Sequence, residues 1–236
     1  MCRQIKLLSF DLDDTLWPCM PTILAAEQAH YRWLNENVPA ITSRYDIKQL
    51  REKRLALMVQ NPYWAHDLSK VRTESLLALS EELDCGTDWV EAAFQVFYEA
   101  RQDVTLFEDV EPVLDRLAKK YRMLALTNGN ADISHTGISH WFEFAISAAE
   151  VGAKKSEPLI YQIALSQAGV SACHGVHIGD DPVQDVLGAH RAGMISVWLN
   201  RKKKRWTQTN FQPDVEISSL HELPCLLEKY EEHWQE

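Results

Sequence analysis

Residues 8–16 read LSFDLDDTL, with Asp11, Asp13 and Asp14 crowded into four positions directly behind an apolar run. Carboxylates repel one another and stay hydrated, so a buried strand that ends in them needs a compensating charge. The run IKLLSF (5–10) is the first of several short apolar stretches; RMLALT (122–127), FAIS (144–147), GVHIG (175–179) and ISVWL (195–199) follow. Between them the apolar spacing predicts helices near 109–120, 157–168 and 184–192. Strand–helix alternation with nearly all-apolar strands predicts an α/β fold, a doubly wound parallel sheet covered on both faces. The closing stretch SSLHELPCLLEKYEEHWQE reads as a helix broken near Pro224.

From about 17 to 103 the texture is helical throughout. Ile23, His30, Trp33 and Leu34 recur at helical spacing, Leu50, Leu57 and Met58 do so after Asp46, and Leu68, Val71, Ser75, Leu79 and Leu83 fit a third helix. Asp88 with Glu91 reads as a capping box opening a fourth, WVEAAFQVFYEAR. Because the first strand and the later ones must share one sheet, the chain is expected to divide into a core of 1–16 and 104–236 and a helical cap, 17–103, inserted after strand one.

The bulk properties narrow the function. A formal charge of −10 over 236 residues repels phosphate backbones and argues against nucleic-acid partners. No apolar run approaches the roughly 18 residues of a membrane span, and the start MCRQIKLLSFDLDD does not read as a signal peptide. Five scattered cysteines (Cys2, Cys19, Cys85, Cys173, Cys225), with no Cys-x-x-Cys pair, read as free thiols in a reducing cytoplasm. The one basic run, RKKKR (201–205), reads as a solvated loop, with steering of a phosphorylated substrate as its functional alternative.

Ligands of an open parallel sheet bind beyond the carboxyl ends of its strands. Strand one is followed by Asp11-Leu12-Asp13-Asp14-Thr15, RMLAL by Thr127-Asn128-Gly129-Asn130, FAIS at a short remove by Lys154-Lys155, and GVHIG by Asp180-Asp181-Pro182-Val183-Gln184-Asp185. Acids clustered at one edge suit Mg²⁺, which takes oxygen donors and keeps company with phosphate. Asp11 and Asp180 are the natural pair, with Asp185 completing or orienting the shell. Asp11 and Asp13 fall on one side of an extended segment. One can attack phosphorus to form an aspartyl-phosphate while the other protonates the leaving alkoxide and later activates water. The Thr127 hydroxyl and the Asn128 N–H can hold phosphoryl oxygens, and a lysine can neutralise them. Hydrolysis of a phosphate monoester can require rate enhancements up to ~10²¹, whereas one acid–base group supplies about 10²–10⁴. Metal, lysine and nucleophile must carry the rest.

DLDDT, TNG, a lysine and GDDPVQD, in that order, resemble the motifs of the haloacid dehalogenase (HAD) superfamily, and the helical insertion is similar to the C1 cap of its subfamily I. The resemblance implies that Asp11 is the nucleophile and a magnesium ligand. It implies that Asp13 is the acid/base with a metal-ligating carbonyl, that Thr127 and Asn128 bind phosphoryl, that Asp180 is the third protein ligand and that Asp185 supports the site. The family's lysine usually precedes Pro-x-Pro; here Lys155-Ser156-Glu157-Pro158 keeps the second proline, which assigns Lys155, with Lys154 as the alternative. Dehalogenases of the superfamily lack an acid two residues after the nucleophile, because a leaving halide needs no proton. Asp13 therefore implies a phosphatase.

WP-x₂-PTILAAEQA, TNGNA, Tyr63-Trp64-Ala65-His66-Asp67 and HIGDD further resemble the bacterial YigB-like phosphatases of subfamily IA. Those act on FMN and on the phosphorylated ribitylamino-uracil of riboflavin synthesis, which implies a small phosphorylated metabolite as substrate; the chain is expected to be cytoplasmic and a monomer or weak homodimer. A phosphosugar mutase and a non-catalytic regulatory module are the alternatives on the same fold. Asn61–Asp67 offers aromatic and hydrogen-bonding groups suited to a flat ring, unless Tyr63 and Trp64 simply pack the cap. His30 with Trp33 reads as cap core, Arg72 as a surface arginine with contact to an anionic substrate as its alternative, Asp14 as a turn residue, Asn130 as turn or site, and Asp181 as the substitute for Asp180.

Overall fold

A computed structural model describes residues 4–232. The chain begins with β1 (Leu7–Phe10), all four residues buried, as a strand covered on both faces must be. It then passes through α1 (Cys19–Asn37), α2 (Pro39–Thr42), α3 (Ile47–Gln60), α4 (Leu68–Leu83) and α5 (Val90–Arg101). Alternation follows: α6 (Val110–Leu117), β2 (Arg122–Thr127), β3 (Ala145–Ser147), α7 (Ala148–Val151), α8 (Leu159–Ala168), β4 (Gly175–Gly179), a π-helical turn (Pro182–Leu187) running into α9 (Gly188–Arg191), β5 (Ile195–Leu199), β6 (Val215–Ile217) and α10 (Leu223–Glu232).

The chain forms two units. One holds the chain up to Pro18, Leu106–Asn128 and the chain from Asp132 on; the other holds Cys19–Thr105 with Gly129–Ala131. In the first, six parallel strands lie in the order β3-β2-β1-β4-β5-β6. The order reverses between β1 and β4, and the crevice beyond their carboxyl ends is where such sheets bind ligands. Leu7, Leu124 and Leu126 of the sheet pack with Ile160, Tyr161 and Leu165 of α8 on one face. The helical unit closes on Leu34, Ile41, Leu76, Leu79, Val90 and Ala93. Two of its helices start on aspartate caps: Asp46 accepts from Gln49 N in a capping box, and Asp67 accepts from Lys70 N.

RMLALT, GVHIG and ISVWL form as read, and the structure differs elsewhere. α5 opens after Trp89 with no side-chain cap, so Asp88 and Glu91 make no capping box. Pro224 sits in the first turn of α10, where a missing N–H costs nothing, and so opens the helix instead of breaking it; residues 233–236 of that tail lie outside the described residues. The edge strand β6, three residues long, is too short to show a period. Cys173 is disulfide-bonded, contrary to the free-thiol expectation, while Cys19, Cys85 and Cys225 form no disulfide. Cys2 lies outside the described residues. Scattered spacing says nothing about which thiols meet once the chain folds. Among the described residues no helix is long and apolar enough to cross a membrane.

Candidate active site

Past Phe10, Asp11 continues the ladder by donating its N–H to Ile178 O (2.9 Å). The chain then turns on itself: Leu16 N donates to Leu12 O (2.7 Å) and Asp14 N to Trp17 O (2.7 Å). Asp14 shapes that turn in the left-handed region, φ 58°. The turn returns Thr15, whose hydroxyl donates to Asp11 Oδ2 (2.8 Å), and Trp17, whose indole N–H donates to Asp13 Oδ1 (2.9 Å). Asp11 and Thr15 are buried, whereas Asp13 is half-buried.

Beyond β4 the backbone makes a second tight structure. Asp181 accepts from Val183 N and Gln184 N, each at 2.8 Å, and so caps the π-helical turn. That leaves Asp181 an exposed capping residue and Asp180 the half-buried member of the pair. Asp185 reaches back to accept from Asp181 N (2.9 Å). Gly179 permits this, because a Cβ there would collide with the Asp185 carboxyl. Gly188 likewise lets the backbone of Lys155 pass.

Lys155 arrives on the loop after α7. Its N–H donates to Asn128 Oδ1 (2.9 Å), and Gln184 Oε1 accepts from both Asn128 Nδ2 and Ser156 N, each at 3.0 Å. The Asn128 side chain is therefore a strut that holds the lysine loop. Lys155 Nζ, 2% exposed, donates to Asp185 Oδ1 (2.7 Å) and to Asp11 Oδ1. Lys154 is half-buried. Thr127 ends β2 and is buried.

Behind the lysine lies His177, with Nε2 3.1 Å from Asp185 Oδ1 and Nδ1 2.8 Å from Ser9 Oγ. Burial pushes its pKa down against the pull of Asp185, so the ring is neutral. An acceptor carboxylate at Nε2 then places the proton there, and Ser9 donates to Nδ1.

The cluster carries Asp11, Asp180 and Asp185 against one lysine. Burial raises the Asp11 carboxyl well above its ordinary value, Lys155 opposes this, and Asp185 and Asp180 add to it. Asp180 is pushed up to about 7, by burial first and then by Asp185 and Asp14. Burial would raise Asp185 too, but Lys155 and the His177 hydrogen bond hold it below its ordinary value. Asp11 and Asp185 together outweigh burial and keep Lys155 charged. Three carboxylates thus share one ammonium, and the cluster is left short of positive charge. One carboxylate oxygen from each of Asp11, Asp180 and Asp185 lies within 4.8 Å of the others. An all-oxygen set with a charge deficit fits Mg²⁺.

The structure brings together Asp11, Lys155, Asp180 and Asp185, with Asn128 supporting the lysine. The Asp13 side chain is directed to Trp17, outside that trio. Four participants lacked an assignment from sequence: Thr15, His177, Gln184 and Tyr161, whose hydroxyl donates to Gln184 O (2.8 Å). A signal for His177 existed. Ser9, His177 and Ser196 are polar interruptions of apolar strands, and they are register partners across β1, β4 and β5. In the basic run, Arg201 is built into the fold by a two-pronged pair with Asp109 (2.9 Å each) and by donation to Thr15 O, whereas Lys202 to Arg205 are exposed.

In the helical unit, Arg72 is buried, 5% exposed, and Tyr63 is 87% exposed. Both correct the sequence reading: α4 turns Arg72 inward on the apolar face with Val71 and Ser75, and Pro62–Trp64 is a short 3₁₀ turn with no buried residue. His30 is buried as read. Asn130 joins this unit and donates to Ser69 Oγ (3.2 Å).

Residues 5–193 match the family model described as haloacid dehalogenase-like hydrolase. The chain is 32% identical over 233 residues to the 5-amino-6-(5-phospho-D-ribitylamino)uracil phosphatase YigB of Escherichia coli, covering 95% of this chain and 97% of that protein. It is 26% identical to the phosphoserine phosphatase of Thermus thermophilus, covering 93% and 98%. A solved structure described as a 2-haloacid dehalogenase from Pseudomonas syringae superposes with a TM-score of 0.89 at 37% identity, covering 96% of this chain and 100% of that one. The chain belongs to the haloacid dehalogenase-like hydrolases. Within that family it is a phosphoric monoester hydrolase, kin to named phosphatases along nearly its whole length.

Proposed function

We propose that the chain is a magnesium-dependent phosphatase of small metabolites that works through an aspartyl-phosphate on Asp11. The observation that carries this reading is the acid at 13, two residues past the buried Asp11. A leaving alkoxide needs a proton and a leaving halide does not. Asp11 Oδ1 beside Lys155 and Oδ2 beside Thr15 orient one carboxylate for in-line attack on phosphorus. Asp13 protonates the departing oxygen and then takes a proton from the water that opens the acyl phosphate. Lys155, the Thr127 hydroxyl and the Asn128 N–H face the phosphoryl oxygens. Asp11, Asp180 and the Asp13 carbonyl would hold Mg²⁺, and Asp185 anchors the lysine. When bound, Mg²⁺ supplies charge neutralisation for the phosphoryl oxygens and for the crowded acids.

The leading substrates are 5-amino-6-(5-phospho-D-ribitylamino)uracil, on the strength of the Escherichia coli relative, and FMN. We place the enzyme in the cytoplasm, as a monomer or weak homodimer, with 17–103 as a cap that closes over substrate. The Pseudomonas syringae structure's description supplies a second reading, dehalogenation. The test is phosphate release with Mg²⁺ and with EDTA across both flavin-pathway phosphates, phosphoserine and sugar phosphates, with 2-chloropropionate alongside. Magnesium-dependent phosphate release with no chloride release is expected. Chloride release without phosphate release overturns the proposal.

A further inference from the structure

The basic run after β5 is not one feature. The Arg201 side chain is 16% exposed and that of Lys202 60%, so the first arginine turns inward while its neighbour faces water. Asn200, itself buried, sets the stage for this. Its N–H donates to Ile217 O (2.7 Å), its amide donates to Glu216 Oε1 (2.6 Å) and Lys204 O (2.8 Å), and its Oδ1 accepts from Lys204 N (2.8 Å). Those bonds fold residues 200–204 into a tight turn pinned to β6, and Arg201 reaches out of it to the loop after β1.

The guanidinium is used on every side. Nη1 and Nη2 grip the two carboxylate oxygens of Asp109, each at 2.9 Å. Nε and Nη2 donate to one backbone carbonyl, Thr15 O, at 3.2 and 2.9 Å. The Arg201 guanidinium carbon lies 4.1 Å from the centroid of the Phe107 ring. Asp109 is fastened in turn, accepting from Ser219 Oγ (2.7 Å) and Leu220 N (2.9 Å), and Phe107 N donates to Leu16 O (2.9 Å). Arg201 therefore clasps the chain just before it leaves for the helical unit after Pro18 and just after it returns at Leu106. An ion pair made for stability alone would need only Asp109. The rest of the fork is spent on Thr15, which is fully buried, where a carbonyl without a donor is costly. The hydroxyl of the same residue holds Asp11 Oδ2 at 2.8 Å.

We infer that Arg201 is a positioning residue for the nucleophile: it fixes the Thr15 carbonyl, and so keeps the Thr15 hydroxyl on Asp11 Oδ2 and the free face of that carboxylate aimed at phosphorus. The inference rests on the proposed attack by Asp11. A guanidinium serves the carboxylate and the carbonyl at once through its rigid fork, whereas a lysine ammonium is a point charge on a flexible stem. A misplacement of about 1 Å caused far from the chemistry can cost on the order of 10²-fold in rate. A residue that touches no substrate can therefore set the rate of attack through one carbonyl.

The test is single-turnover cleavage of p-nitrophenyl phosphate by the full-length protein in excess, with Mg²⁺. Nitrophenolate leaves without a proton, so its appearance reads the attack step, and the protein concentration giving half the maximal rate reads binding. Arg201→Lys keeps the charge beside Asp109 and the fold, checked by circular dichroism. It should slow attack ten-fold or more with half-saturation within two-fold of the wild type, and Arg201→Gln should do the same. Arg205→Gln removes an equal charge from the exposed part of the run and should leave attack within two-fold at low and at high salt. Thr15→Val should also slow attack, and its combination with Arg201→Lys should be within two-fold of the slower single variant, as residues acting through one contact behave. Wild-type attack rates in both Arg201 variants, a loss confined to half-saturation, an equal loss in Arg205→Gln, or effects that multiply in the double variant would overturn the inference, with Asp11→Asn inactive in the same assay. Turnover retained by Asp11→Asn would overturn the nucleophile reading and this inference with it.

Discussion

The two buried charge clusters of this chain are built to the same plan with opposite signs. Around Lys155, Asp11, Asp180 and Asp185 outnumber a single ammonium; around Glu27, Arg54 and Arg72 outnumber a single carboxylate. Each has a histidine kept neutral by burial, His177 in one and His30 in the other. A structural ion pair needs neither surplus, because matched charges cost the least to bury. The lesson is that burial does not fix the sign of a cluster: one unit leaves acids in surplus and the other leaves guanidiniums.

The comparison can be broken most severely at Asp11. Asp11→Asn should cut phosphate release on the order of 10⁴-fold or more with the fold retained; steady-state assays beside circular dichroism check this, and retained turnover removes Asp11 as nucleophile. Lys155→Met strands two buried carboxylates, and about 3–5 kcal/mol of stability should go with it. Lys154→Met should move stability by no more than about 0.5 kcal/mol, and thermal melts of the two variants compare the lysines directly. Mg²⁺ should sharpen the contrast by stabilising the acidic cluster. At about 100 times its dissociation constant it adds roughly 2.7 kcal/mol, a gain that Asp180→Asn should abolish in a melting series with and without EDTA.

A further effect is a pH dependence in the arginine cluster. His30 falls to about 3 in the folded chain from an ordinary value of about 6.5. Between these values the unfolded chain binds the extra proton and the folded chain does not, so stability is complete above about pH 6.5 and is lost as pH falls. The loss should reach at most about 1.4 kcal/mol per pH unit. His30→Gln should flatten the curve by that amount in urea unfolding between pH 6.5 and 4.5, and an unchanged slope would show that His30 is protonated in the native state.

Much of the acidic cluster was legible because its members follow strand ends, and strand ends converge by topology. DLDDT, TNG and GDDPVQD announce themselves against apolar runs, and β2, β4 and β5 form as read. The arginine cluster was not legible. Arg72 stands on a helix of mixed composition, and only the packing of α4 against α5 decides that it points at Phe97 and away from water. Asp88 and Glu91 had cap spacing without cap geometry, since α5 begins from a helical Trp89. Asn128 was read as a phosphate ligand through its N–H, and the strut formed by its side chain depends on Gln184, 56 residues away, a distance no local pattern spans.

The position of β1 governs how the molecule must come into being. Its neighbours on either side are Arg122–Thr127 and Gly175–Gly179, so the earliest of the six strands waits longest between its own synthesis and that of its second partner. At ribosomal rates of about 5–20 residues per second, LLSF waits on the order of ten to thirty seconds for β4 to emerge. The helices from Cys19 to Arg101 have most of their partners close in sequence and can collapse in that interval. The nascent chain therefore carries an unpaired apolar strand beside a folded helical unit. Asp11, Asp13 and Asp14 spend that time at its end, where their charge discourages the exposed edge from pairing with another chain.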